Sequence, residues 1–180
     1  MASDRLYDGE TFEQGGYTFR VTFPQDADHG APWEDYDGHG IVSEWTRRPK
    51  LAGERILVSD GRDYPSRRYY DVAGTLKIAR RDSWGAPDGR RPGETRRAEL
   101  ARAVEADYEF LRGWCTDQWT YVGVVVTWID AEGHDLGLTE SLWGVESSED
   151  TYLADVAREL AGELLGQIEV DEPDAVRGEQ

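Results

Sequence analysis

Residues 119–129, Trp-Thr-Tyr-Val-Gly-Val-Val-Val-Thr-Trp-Ile, constrain the fold of this chain most. β-Branched and aromatic side chains dominate the run, and these suit a pleated strand. Side chains alternate along a strand, so Tyr121, Val125 and Ile129 face one way and Val122, Val124, Val126 and Trp128 the other. Apolar side chains on both faces predict a central strand, covered at least in part on each side. The remaining elements must provide that cover.

Two kinds of segment are available to do so. Residues 17–23 alternate apolar and polar side chains up to Pro24 and read as a half-buried strand. Residues 55–59 and 68–70 read as two strands joined by the turn chemistry of 60–65, and 136–145 returns after a turn at 130–135. Residues 24–40, rich in Asp, Gly and Pro, read as a long loop, and 40–45 as a short helical turn stopped by Pro49. Asp71 is placed to N-cap a helix over 72–84, with Gly85 as its stop. A second helix spans 94–115, with Leu100, Val104, Tyr108, Leu111 and Cys115 on one face. Ser147 or Ser148 caps a third, whose stripe is Tyr152/Leu153, Val156, Leu160, Leu164 and Ile168. Hairpins in place of regular βαβ units predict an α+β fold: an antiparallel sheet of about five strands with three main helices packed on it. The expected organisation is one domain over 1–170 and a frayed acidic tail over 171–180.

Composition narrows the function classes. Seven Trp, nine Tyr and four Phe provide large buriable area, so disorder is excluded although 32% of residues are charged. Cys115 is the only cysteine, which rules out an intramolecular disulfide and points to a reducing compartment. No signal peptide is expected, and the longest apolar run falls well short of the ~20 residues of a membrane span.

The net charge of −17 is unevenly distributed. Residues 1–46 carry two basic and ten acidic side chains, residues 47–102 fifteen and eight, and residues 103–180 three and nineteen. One reading is solubility plus pairing of the basic middle with its acidic flanks; the other is an acidic face that docks on a basic partner. Aromatic residues interleave with the arginines of the middle segment, a pattern that suits single-stranded nucleic acid. The overall negative charge opposes it, so direct nucleic-acid binding is not expected.

The segment 29–45 gathers the candidate chemistry. His29, Asp37 and His39, with Glu34, hold imidazole and carboxylate groups of the kind that bind Zn²⁺, Mn²⁺ or Fe²⁺, although the spacing matches no metal signature. A metal-dependent hydrolase or nuclease built on His29, Asp37 and His39 is therefore the alternative function. The same segment also reads as a structured loop in which Gly38 and Gly40 allow positive φ. A further reading is a partner-binding loop, because Trp33, Tyr36 and Trp45 are anchor types that dominate interfaces, with Glu34, Asp35, Asp37, His39 and Glu44 between them. Cys115 sits near a helix C-terminus, which disfavours a thiolate, and reads as core. Neither a nucleophile elbow nor a phosphate-binding glycine loop is present.

Several segments together resemble a group of small acidic, uncharacterised proteins of bacteriophages and prophages. They are Pro32-Trp33-Glu34, Asp37-Gly38-His39-Gly40-Ile41-Val42-Ser43-Glu44-Trp45, Arg68-Tyr69-Tyr70-Asp71, residues 77–84, residues 119–127 and Glu140-Ser141-Leu142-Trp143-Gly144. The resemblance spans about residues 17–165, and the DGHGxVSEW segment is its most specific part. It implies a phage accessory protein in the cytoplasm of a bacterial host, with no catalytic residue and no cofactor to carry over. By analogy it implies an inhibitor of host defence, of anti-CRISPR or anti-restriction type, that binds a basic host protein. The final helix then offers Glu149, Asp150, Asp155, Glu159 and Glu163, with Glu169, as contacts beside the loop residues already named.

Overall fold

The computed structural model describes residues 5–35 and 38–171. In chain order the elements are β1 (Thr11–Gln14), β2 (Tyr17–Thr22), α1 (Pro32–Asp35), β3 (Ile41–Val42), β4 (Glu54–Ser59), β5 (Arg67–Asp71), α2 (Val72–Arg81), α3 (Arg96–Cys115), β6 (Tyr121–Ile129), β7 (Asp135–Glu146) and α4 (Asp150–Asp171). They fall into two compact units. One combines residues 1–29 with 120–180 and is called the split unit; the other, residues 30–119, is the inserted unit. Apart from Asp171, the tail expected over 171–180 lies outside the described residues.

The split unit is a four-stranded antiparallel sheet, ordered β1-β2-β6-β7, with α4 on one face. The two-faced strand 119–129 becomes β6, hydrogen-bonded on both edges: Val21 lies opposite Val126 on one side, and Leu142 opposite Val124 on the other. Its Val122, Val124 and Val126 join Phe19 and Val21 of β2 against Leu153, Val156, Leu160, Leu164 and Ile168 of α4. Phe19, Val21, Val124, Val126 and Leu164 are fully buried. Each such side chain contributes about 1.5–3 kcal/mol from removal of apolar surface from water.

The inserted unit is a three-stranded antiparallel sheet, ordered β3-β5-β4, with α2 and α3. Its core gathers Leu57, Tyr70, Ala79, Leu100, Val104, Tyr108 and Leu111. Asp71 caps α2 by accepting from the Gly74 amide at 2.9 Å, and Thr95 caps α3 by accepting from Ala98 at 3.2 Å.

The fold is α+β and antiparallel, but the single five-stranded sheet is corrected to seven strands in two sheets. Two strands were not anticipated. β1, with four residues, and β3, with two, are too short for an alternation to register. The helical turn expected over 40–45 is also corrected. Ile41 and Val42 pair with Asp71 and Tyr70, and the Ile41 amide donates to Thr75 Oγ1 at 3.0 Å, so two β-branched residues extend along β5. Helix α2 ends at Arg81, three residues early, because Ser83 takes a left-handed φ of 58° before Gly85 is reached.

The units differ sharply in charge. Residues 1–29 and 120–180 hold four basic and twenty-one acidic side chains, whereas residues 30–119 hold sixteen of each. The whole net charge of −17 thus belongs to the split unit. The two acidic ends of the sequence are parts of one unit, and the basic middle is neutralised within its own. Among the described residues no helix is long and apolar enough to cross a membrane.

Candidate functional site

Helix α4 presents its acids in register. Asp155, Glu159 and Glu163 recur four residues apart, all exposed, in a row that borders the buried Val156, Leu160 and Leu164. Arg158, 3.4 Å from Asp155, is the one basic residue within α4. Like charges at this spacing destabilise an isolated helix by a few tenths of a kcal/mol per pair. Glu149 and Asp150 are exposed at the start of the helix, and Asp150 lies 3.5 Å from Arg5. An acid in the first turn is favoured by the helix dipole. Glu169 is exposed near the other end.

A second feature of the split unit escaped the sequence reading. The indole of Trp143, half exposed, lies across Gly123, where a Cβ would come within 2.7 Å of the ring. Trp143 borders a cleft of about 530 Å³ with Gln25, Asp26, Asp28 and His29. Asp26 is not free to bind there: it accepts from the amides of Asp28, His29 and Gly144 at 3.0–3.2 Å. His29 packs on Tyr121, with ring centroids 3.9 Å apart. Alternation from Thr139 and Ser141 sets Trp143 on the face away from α4, but a register shift between Leu142 and Val145 returns Val145 to the α4 core, so the sequence pattern alone left the face of Trp143 open.

The loop candidates lie in the inserted unit. Trp33 meets Trp114 edge-on at 5.3 Å, and the Arg68 guanidinium sits 5.5 Å from the Trp33 ring and 5.6 Å from that of Trp45. Arg68 also lies 3.9 Å from Glu34 and 3.8 Å from Glu44 and donates to the Ser43 carbonyl at 3.1 Å. Trp33 is therefore largely spent on packing, whereas Trp45 and Glu44 stay exposed. Tyr36, Asp37 and the side chain of Asp35 lie outside the described residues.

His39 has a different environment. Its Nδ1 lies 2.7 Å from Asp107 Oδ1, while Asp107 Oδ2 accepts from the Gly40 amide at 2.8 Å and the Tyr70 hydroxyl at 2.6 Å. The ring stacks on Phe110, with centroids 5.4 Å apart and planes within 9°. Burial, and then the hydrogen bond to Asp107, raise the Tyr70 hydroxyl well above the ordinary phenol range, so Tyr70 stays a donor. Asp107 was missed because it lies beside, not on, the apolar face of α3. Its signal was a lone carboxylate between Ala103 and Phe110 at helical spacing.

Among the described residues no group of three or more His, Cys, Asp or Glu side chains is placed to hold a metal ion. His29 belongs to the split unit and His39 to the inserted one. Cys115 packs against the core of the inserted unit, and burial pushes its thiol up to about 11. Several basic residues of the inserted unit are engaged locally. Arg48 pairs with Glu54, Arg55 with Glu105 and Glu109, Arg96 with Glu99, and Arg102 with Asp88 and Glu94.

No family model matches this chain, and neither a curated protein nor a solved structure matches it.

Proposed function

We propose that this chain is a non-enzymatic phage accessory protein whose split unit binds a basic, nucleic-acid-binding protein of the bacterial host and so blocks a defence system. The observation that carries this reading is the segregation of charge: a unit of net −17 joined to one in which acids and bases are equal in number. A protein that needed acidity only for solubility has no reason to confine it to one unit. The α4 stripe of Asp155, Glu159 and Glu163 is the ordered part of that surface, set about 6 Å apart by the helical rise. The half-exposed Trp143 adds a side chain of the type that anchors interfaces. The phage and host context rests on the sequence resemblance alone. The metal-dependent hydrolase reading has no converging set of ligands among the described residues and is not the one proposed.

The test uses the full chain as bait in bacterial lysate at low salt, beside a D155K/E159K/E163K variant. The expected result is a host protein held by the wild type, absent from the variant, and displaced both by duplex DNA and by 1 M salt, where the screening length falls to about 3 Å. A captured protein that DNA does not displace, or one retained equally by the variant, overturns the reading, as does the absence of any captured protein.

A further inference from the structure

We propose that the groove beside His39 is a binding site for a small, neutral, flat aromatic molecule carrying an O–H or N–H donor, with His39 Nε2 as the acceptor. The groove lies wholly within the inserted unit and is independent of the acidic surface.

The Asp107 carboxylate fixes the polarity of the site. One of its oxygens is occupied by the Gly40 amide and the Tyr70 hydroxyl, both of which can only donate there. The other oxygen takes the His39 Nδ1 proton at 2.7 Å. In the neutral imidazole that leaves Nε2 as an acceptor. Among the described residues Nε2 has no hydrogen-bond partner. The His39 side chain is 22% exposed and Asp107 8%, so the orienting carboxylate is hidden while the imidazole it orients reaches the surface. Stacking on Phe110 removes the remaining freedom of the ring.

The backbone around His39 is shaped to hold this arrangement. A Cβ on Gly40 would lie 2.5 Å from Tyr70 Cε2 and 2.6 Å from Cζ, so only glycine lets the chain come close enough for its amide to reach Asp107. Gly38 has φ +131°, a conformation L side chains rarely adopt. Both glycines of the Gly38-His39-Gly40 segment thus serve to present one imidazole.

The walls select the ligand. A groove of about 460 Å³ runs beside His39, lined by Trp84, Pro87, Ala103, Ala106 and Phe110. That volume falls within the range of roughly 300–1,000 Å³ usual for small-molecule sites, which combine apolar walls with a few orienting polar groups. Among the described residues no lysine or arginine lines it, so an anion has no counter-charge from them. Among the described lining residues the one carboxylate, Asp107, is largely buried and already accepts three hydrogen bonds, so it offers a cation little direct contact. Trp84 and Phe110 offer aromatic surface for a ring. A neutral ring bearing one donor matches both the walls and the single acceptor.

Phenol and anisole test this directly, because they share a ring and differ in the donor. Each is titrated into ¹⁵N-labelled full-length protein while the imidazole nitrogens of the three histidines and the indole N–H groups are followed by NMR. The ligand-free protein should show His39 protonated on Nδ1. Phenol should then bind saturably in the millimolar range, moving His39 Nε2 towards a hydrogen-bonded acceptor and shifting the Trp84 indole. Anisole should bind about 3- to 10-fold more weakly, the worth of one hydrogen bond, and leave Nε2 nearly unmoved. In His39→Phe, which keeps a ring to stack on Phe110, the two probes should bind alike; in Asp107→Asn the preference for phenol should also fall. Equal binding of the two probes by the wild type, no saturable shift, or an unchanged phenol preference in folded His39→Phe each overturns the proposal.

Discussion

The split and inserted units solve the same problem of solubility with opposite uses of charge. Among the described residues of the inserted unit nine bases pair with acids at close range, some with two acids to one guanidinium: Arg55 reaches Glu105 and Glu109, and Arg102 reaches Asp88 and Glu94. Arginine also serves as a packing side chain there, with its guanidinium 3.5 Å from the centre of the Tyr108 ring and 4.8 Å from that of Tyr69 for Arg55 and Arg48 respectively. In the split unit Arg20 donates to the Gly133 carbonyl, and the α4 acids Glu159 and Glu163 face solvent. Charge holds structure together in one unit and is displayed by the other. A charge-changing substitution should therefore be felt as stability in the inserted unit and as binding in the split unit.

The largest expected effect tests whether the two units also differ in rigidity around their aromatic residues. Gly40→Ala, in the inserted unit, drives a methyl group into the ring of Tyr70, which is fully buried and tied to Asp107. Overpacking against a side chain that cannot move costs about 1–3 kcal/mol. Gly123→Ala, in the split unit, brings a Cβ within 2.7–2.8 Å of Trp143, but that indole is half exposed and held, among the described residues, only by a 3.3 Å hydrogen bond to the exposed Ser141 hydroxyl, so it can swing away. Its cost should stay below about 1 kcal/mol. Urea denaturation of the two variants checks both values, and an equal cost would remove the contrast.

A smaller effect concerns the pairing within the inserted unit. Hydrogen bonds from Arg91 and Arg102 hold Asp88 down to about 2, and hydrogen bonds from Arg102 and from the Arg91 amide hold Glu94 down to about 2. Both carboxyls have folded values below their ordinary ones of 3.8 and 4.5. Their contribution to stability is therefore fully present above about pH 4.5 and is lost as pH falls towards 2. Arg102→Gln should lower the melting temperature at pH 7 and progressively less as the pH drops through that window. Because Asp88 is half exposed and Arg102 partly so, added salt should also shrink the difference. A gap between variant and wild type that is constant from pH 7 to pH 2.5 would show that Arg102 stabilises by packing rather than by charge.

How far each unit was legible follows from the range of its interactions. The α4 stripe, the Asp71 cap and the two-faced strand β6 are local patterns, written in spacings of two, three or four residues, and the sequence shows them directly. The division of strands between two sheets is not local. β2 and β6 are neighbours across almost a hundred residues, and only the fold reveals that the acidic ends belong together. The site at His39 shows the same limit. The histidine and its glycines are conspicuous in sequence, but Asp107 lies 68 residues away and Tyr70 lies 37 residues before Asp107. Metal ligation was considered because imidazole and carboxylates were adjacent in the chain. The carboxylate that engages His39 is a distant one, chosen by the packing of α3 against β5.

The smallest effect on stability carries the sharpest form of the comparison. Replacing Glu159 and Glu163 with lysine touches only exposed positions, for which changes stay within about 0.5 kcal/mol. The sign should be stabilising. Asp155, Glu159 and Glu163 repel one another along one helical line, and the split unit as a whole repels itself. Two reversals relieve both, more at 20 mM than at 500 mM salt. The same pair of substitutions should remove binding of the basic partner. A surface kept acidic at a small cost in stability, and needed for binding, is one whose charge serves contact. If instead E159K/E163K destabilised the chain by more than about 1 kcal/mol at low salt, the α4 carboxylates would be structural in the manner of Glu54 or Glu94, and the distinction between the two units would fail at the element on which it most depends.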